Sequence, residues 1–184
     1  AVHEDLGNVI VEGPATGHLP VKMLFDPFVT NPGRGTAVLG TIAAGANSYG
    51  VTGVAPQTSL LFFPIISADT GLRDIDAWVN AIEVLGYGDV LVATYPAFNG
   101  TECINLDPEI QGLISVATDN GITVVIPAGD RASNIQGALE AVPDTGALIV
   151  GGSLPNVVPR RFWTSNYTTN PNNIFNPLLP VVSC

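Results

Sequence analysis

Positive charge is scarce in this chain. Of its 184 residues only six are Lys or Arg, against sixteen Asp and Glu, which leaves a net charge of −10. The six are Lys22, Arg34, Arg73, Arg131, Arg160 and Arg161, and only Arg160 and Arg161 are adjacent. Phosphate-backbone binding needs several cations acting together, so nucleic acid is excluded as a partner. Long apolar runs are missing too. None approaches the roughly 18 residues of a membrane-spanning helix, and no membrane association is predicted. The two histidines, His3 and His18, and the two cysteines, Cys103 and Cys184, have no metal-ligand spacing. Asp69, Asp74 and Asp76 lack the full ligand set of a calcium loop. No metal and no cofactor is therefore predicted. The first residues, Ala1-Val2-His3-Glu4-Asp5, lack the basic and apolar segments of a signal peptide.

What is present is apolar and rich in turns. Hydrophobic residues make up 46% and charged residues 12%, enough to bury a core in a single domain over 1–184. Twenty glycines and fifteen prolines point to many tight loops around a regular scaffold. Pro20–Phe25 suits a short strand, and Gly35–Ala44 reads as a buried helix that Gly45 would cap. Ser59–Ile66 is a continuous apolar run of strand length. Asp69–Leu72 reads as a loop. Ile75, Trp78, Val79, Ile82 and Leu85 make the stripe of an amphipathic helix, with Asp74 in its first turn. Asp89–Thr94 is a strand. Asp107-Pro108 is a helix start, with Asp as N-cap, Pro at the first helical position and Gly121 as the stop. Ile122–Ile126 and Gly146–Gly151 are two more strands, and Ala138–Ala141 suits a helical turn. Strand and helix alternate over 58–151. That order predicts an α/β fold with a parallel sheet flanked by helices in three layers, and ligands at the C-terminal ends of the strands.

Several segments, in order, resemble one family. Gly33-Arg34-Gly35-Thr36 opens a small-residue helix. Gly50-Val51-Thr52-Gly53-Val54-Ala55-Pro56 follows it as a G-x-x-G-V-A-P turn. Gly88–Val92 leads a strand. Asn120 to Asp130 ends in Ala128-Gly129-Asp130, and Ser165-Asn166-Tyr167 closes the series. Over about 33–167 this resembles the middle of a subtilisin-like serine protease domain, with 168–184 as a C-terminal tail. The resemblance implies that position 34 is the catalytic histidine position and position 130 that of the oxyanion-binding asparagine. Here they are Arg34 and Asp130. His3-Glu4-Asp5-Leu6 resembles the segment just after the family's aspartate strand, so the chain is expected to begin after that strand. The G-T-S nucleophile motif is absent.

The two changed positions matter by magnitude. A guanidinium titrates above about pH 12 and cannot serve as a general base. A carboxylate repels a developing oxyanion. Losing one oxyanion donor costs about 10²–10³ in rate, and losing the base costs roughly 10⁶ in subtilisin itself. The expectation is a degenerate, catalytically inactive domain that acts by binding a protein, glycan or small molecule, with self-association possible. One alternative is an enzyme of other chemistry using Asp130, Glu102 or His18; another is a structural or storage protein. In the family, substrate pairs as an added strand. The matching residues here are Thr94, Tyr95, Pro96 and Ala97 on one side and Ile126, Pro127, Ala128 and Gly129 on the other. Pro96 and Pro127 have no N–H to donate, which impairs that pairing.

Two sequons, at Asn99 and Asn166, together with the cysteine pair, suggest a secreted glycoprotein. A Cys103–Cys184 bridge would close a loop of roughly 80 residues and add about 2–4 kcal/mol; two free thiols or a bridge to another chain are the alternatives. Without the family's first strand and nucleophile helix, apolar surface is expected at the sheet unless residues 1–30, the tail 168–184 or a second subunit covers it. Trp163, beside Phe162 and Tyr167, is a candidate exposed aromatic patch.

Overall fold

The computed structural model describes residues 4–6, 9–11, 34–67, 71–95, 103–154 and 160–169. The expected strand over 20–25 and residues His3, His18, Asp69, Pro96, Ala97, Asn99, Glu102 and Cys184 lie outside them. The chain forms two compact units, residues 1–81 and 82–184, which meet within one helix.

In the first unit a single 3₁₀ turn, Glu4–Leu6, precedes β1 (Val9–Val11), and α1 runs Arg34–Ala43. β1 pairs in parallel with β2 (Leu60–Phe62). The apolar run 59–66 is thus shorter as a strand than its composition suggests. Beyond Phe63-Pro64 the chain turns into a hairpin of β3 (Ile66–Ser67) and β4 (Gly71–Leu72), where a plain loop was expected.

The end of α1 is closed differently from expectation. Gly45 does not seal it; its N–H donates to the Asp5 carbonyl at 2.9 Å. The last carbonyls of the helix accept instead from the G-V-A-P turn. Val54 N–H donates to Thr41, Ala55 N–H to Ile42, and Gly53 N–H to Ala44, at 2.8–2.9 Å. This satisfies acceptors that every helix C-terminus leaves unpaired. Gly53 has to be glycine, because a Cβ there would stand 2.6 Å from the Ile42 carbonyl oxygen and the Ala44 nitrogen. Asp5, 3% exposed, holds the intervening loop: its carboxylate accepts from Val51 N–H and Asn47 Nδ2, both at 3.3 Å.

α2 (Asp74–Val84) starts on two acids, Asp74 and Asp76, placed favourably for the helix dipole. Asp76 pairs with Arg73, and Trp78 is buried. The second unit is built on three parallel strands in the order β5 (Val90–Val92), β6 (Thr123–Pro127), β7 (Leu148–Val150). α3 (Pro108–Asp119) begins as its sequence dictates: the Asp107 carboxylate accepts from Glu109 N–H at 3.1 Å with Pro108 at the first position. Gly121, at φ +77°, ends it.

The register sorts side chains between the two faces of this sheet. Leu91, Val124, Ile126 and Ile149 share one face, and β6 packs there on α3, whose Ile110, Ile114 and Ala117 are buried. Val90, Val92, Val125, Leu148 and Val150 share the other. On that face Val90 is 57% and Val92 44% exposed. α4 (Gln136–Glu140) lies slightly before the turn expected at 138–141. A second hairpin, β8 (Ser153–Leu154) with β9 (Arg160–Arg161), had no signal in the sequence.

Candidate functional site

The strand ends that the resemblance marks as a site are those of β5 and β6. Val92 pairs with Val125, and Ala93 N–H donates to the Val125 carbonyl at 3.0 Å. Thr94 therefore stands level with Pro127, and both Thr94 and Tyr95 are half-buried. Past Pro127 the chain passes through buried Ala128 and then Gly129, at φ +91°, where the left-handed backbone favours glycine. Asp130 follows on the surface. No third member of a metal-binding group joins it: among the described residues no cluster of three His, Cys, Asp or Glu exists.

What holds this loop is a residue read from sequence in another role. Asn166 is 1% exposed. Its Nδ2 donates to the Ala128 carbonyl at 2.8 Å, while its Oδ1 accepts from Arg131 N–H at 3.1 Å and Ser133 N–H at 3.0 Å. Its own backbone N–H donates to the Gly129 carbonyl at 2.9 Å. One side chain thus spans the loop on both sides of Asp130. This geometry argues against the glycan expected at Asn166. The residue is buried, and the nitrogen that would carry the sugar donates one of its two hydrogens to the Ala128 carbonyl. The serine of the same turn is also committed: Ser165 Oγ accepts from Gly152 N–H at 2.9 Å. The sequon signature Asn-Tyr-Thr carries no information about burial, and no sequence signal would have separated the two uses.

The candidate groove residues divide. Ile126 and Ala128 are core residues, 1% and 0% exposed, and offer no side chain to a ligand. Strand alternation completes the correction. Ala128 N–H donates to the Val150 carbonyl, so the backbone groups of 126 and 128 turn towards β7, whereas Val125 and hence 127 and 129 turn towards β5. On that side Pro127 has no N–H, and the Gly129 carbonyl already accepts from Asn166. The Pro127 carbonyl and the Gly129 N–H are the groups that face this side for an added strand. Thr94, Tyr95 and Pro127 are brought together; Pro96 and Ala97 lie outside the described residues.

Arg34 is the first residue of α1, the position at the helix start that the resemblance assigns to the catalytic histidine. It belongs to the first unit and Asp130 to the second. Cys103 is wholly buried beside Ala128, Ile135 and Ile149. Desolvation pushes its thiol up to about 11, although backbone hydrogen bonds with Asn105 and Leu106 pull it partly back.

Comparison with known proteins agrees with the motif order. The chain is 32% identical over 99 residues to the major intracellular serine protease of Bacillus subtilis (strain 168), an alignment covering 54% of this chain and 30% of that protein. It is 32% identical over 117 residues to subtilisin E of the same organism, covering 60% and 29%. Among solved structures, the protease domain of PatA in its S218A form superposes over 90% of this chain and 57% of that one, with a TM-score of 0.61 and 19% identity. The chain carries a subtilisin-like domain. No family model matches it. The subtilisin-like domain spans about a third of the length of the curated relatives it matches. Their names record both an intracellular protease and subtilisins.

Proposed function

We propose that this subtilisin-like domain has no peptidase activity and acts by binding a protein, glycan or small molecule. The observation that supports this most directly is the loop 128–133. Its frame is intact, with Gly129 in the left-handed region and Asn166 bridging both sides, yet the residue it presents is Asp130. A carboxylate has no N–H to give an oxyanion, and Arg34 at the start of α1 cannot accept a proton from a nucleophile. The two losses multiply to roughly 10⁸ or more in rate if independent. The missing N–H of Pro127 and the occupied carbonyl of Gly129 also argue against a substrate bound as an added strand. Secretion, a glycan at Asn99 and a Cys103–Cys184 bridge belong to the same proposal. They are supported by the Asn99 sequon and the cysteine pair alone.

The test uses the purified chain with casein, chromogenic peptides and a fluorophosphonate label, beside an active subtilisin. The expected result is neither turnover nor labelling. Turnover that the fluorophosphonate abolishes would overturn the proposal.

A further inference from the structure

The charge of this chain is segregated. All sixteen acidic residues lie at or before Asp144, and from Thr145 to Cys184 there is none, while Arg160 and Arg161 fall inside that stretch. The structure puts these arginines on β9, at the root of a turn carrying the most exposed tryptophan. Trp163 is 71% exposed and Phe162 37%, with ring centroids 5.7 Å apart and planes tilted by 38°. An indole that open costs free energy in water and commonly anchors an interface.

The turn is rigidly held. Arg161 Nη1 donates to the Ser165 carbonyl and, at 3.3 Å, to the Trp163 carbonyl, and its guanidinium lies over the Tyr167 ring at 4.5 Å. Phe162 N–H donates to the Gly152 carbonyl, and Ala132 N–H on the neighbouring loop to the Thr164 carbonyl. Arg161 is thus a brace. Arg160, on the alternate face of the strand and exposed, is the cation on display. Asp130 and Arg131, on that neighbouring loop, carry opposite charges and contribute no net field.

We propose that Arg160, Phe162 and Trp163 form a docking surface for an acidic peptide segment bearing an apolar side chain. The apolar group would cover the indole and a carboxylate would pair with Arg160. Charge complementarity selects this partner class. Screening confines the field of Arg160 to about 8–10 Å, so one or two carboxylates placed beside an anchor feel it. An extended polyanion would instead meet the −10 of the whole chain with only two arginines in its favour. Because the turn is already braced, little ordering cost is left for binding. This surface is independent of whether the subtilisin-like cleft retains any chemistry.

The experiment follows fluorescence anisotropy of a labelled, N-acetylated octapeptide with two glutamates flanking a central leucine and glycine and serine elsewhere. It is titrated with the whole chain and with the Arg160→Glu and Trp163→Ala variants. Both positions are exposed, so unchanged melting curves certify the fold. The expected result is saturable binding, weakened tenfold or more by either variant and by raising salt from 50 to 300 mM. Four outcomes would overturn the inference: no saturation at millimolar protein, equal binding of the glutamine analogue, stronger binding of a heparin or chitin oligosaccharide competitor, or concentration-dependent self-association that occupies Trp163 without peptide.

Discussion

Replacing Asn166 with alanine tests whether one buried side chain holds the loop around Asp130. Three side-chain hydrogen bonds disappear: one to the Ala128 carbonyl and two from the Arg131 and Ser133 amides. Each carries a net of about 0.5–1.5 kcal/mol, roughly 2–4 in all. The two amides sit on an exposed loop and can turn to water. Ala128 is 0% exposed and its carbonyl cannot, which adds about 1–3 kcal/mol for an orphaned acceptor. The total is about 3–7 kcal/mol, a large share of the roughly 5–15 kcal/mol that stabilises a domain. At about 2–4 °C per kcal/mol for a chain of this size, the melting temperature should fall by roughly 6–28 °C. Thermal unfolding followed by far-UV circular dichroism measures the global effect. Hydrogen exchange of the Arg131 and Ser133 amides measures the local one, and both should lose protection. Asn166→Asp keeps the two acceptors and loses only the donor, while setting a carboxylate against the Ala128 carbonyl, so it should be no milder than alanine. A drop below 2 °C with unchanged exchange would refute the bracing role.

Two further perturbations follow from the packing. With reductant present, Cys103 should resist a thiol reagent at pH 8 in the folded chain and react once unfolded. Its folded value near 11 lies above the unfolded 9.0, so its stabilisation is complete below pH 9 and lost as pH rises through 11. Two pH units at 1.36 kcal/mol each give about 2–3 kcal/mol, a decline in urea-measured stability that Cys103→Ala should abolish. Gly121→Ala places a Cβ at φ +77° against the Tyr87 ring and should cost about 2 kcal/mol or more, whereas Gly137→Ala, with open space in α4, should gain about 0.5–1 kcal/mol in the same melts.

The features legible from sequence were those decided locally. Asp107-Pro108 specifies its helix start through groups two residues apart, and Gly121 its stop; both are found as read. β5, β6 and β7 were evident because each is a short continuous apolar run, although one face of β5 is exposed. Partners decided at long range were not. Nothing in Leu60-Leu61-Phe62 says that it pairs with Val9–Val11. Gly45 has the composition of a helix cap, but Gly53, Val54 and Ala55 reach the carbonyls of α1 from the following turn. Asn166 matched a glycosylation pattern because that pattern is three letters long, while its burial depends on a loop more than thirty residues away. The site itself was half legible. Identity alone marks Arg34 and Asp130 as departures from the family's pattern, but only the structure reveals that the Ala128 N–H and the Gly129 carbonyl are already hydrogen-bonded.

That division separates the residues that hold the subtilisin-like fold from the positions that the resemblance marks as catalytic. The loop bearing Asp130 is positioned by the Gly129 backbone, the ladder to β7 and the Asn166 amide, none of which is a catalytic group. The turn that closes α1 rests on Gly53 and Asp5, again outside the chemistry. Since stability is supplied by one set of residues and acyl transfer would need another, the second can change while the first keeps the fold. Among the surfaces the fold presents is the braced turn around Trp163, whose side chain is 71% exposed.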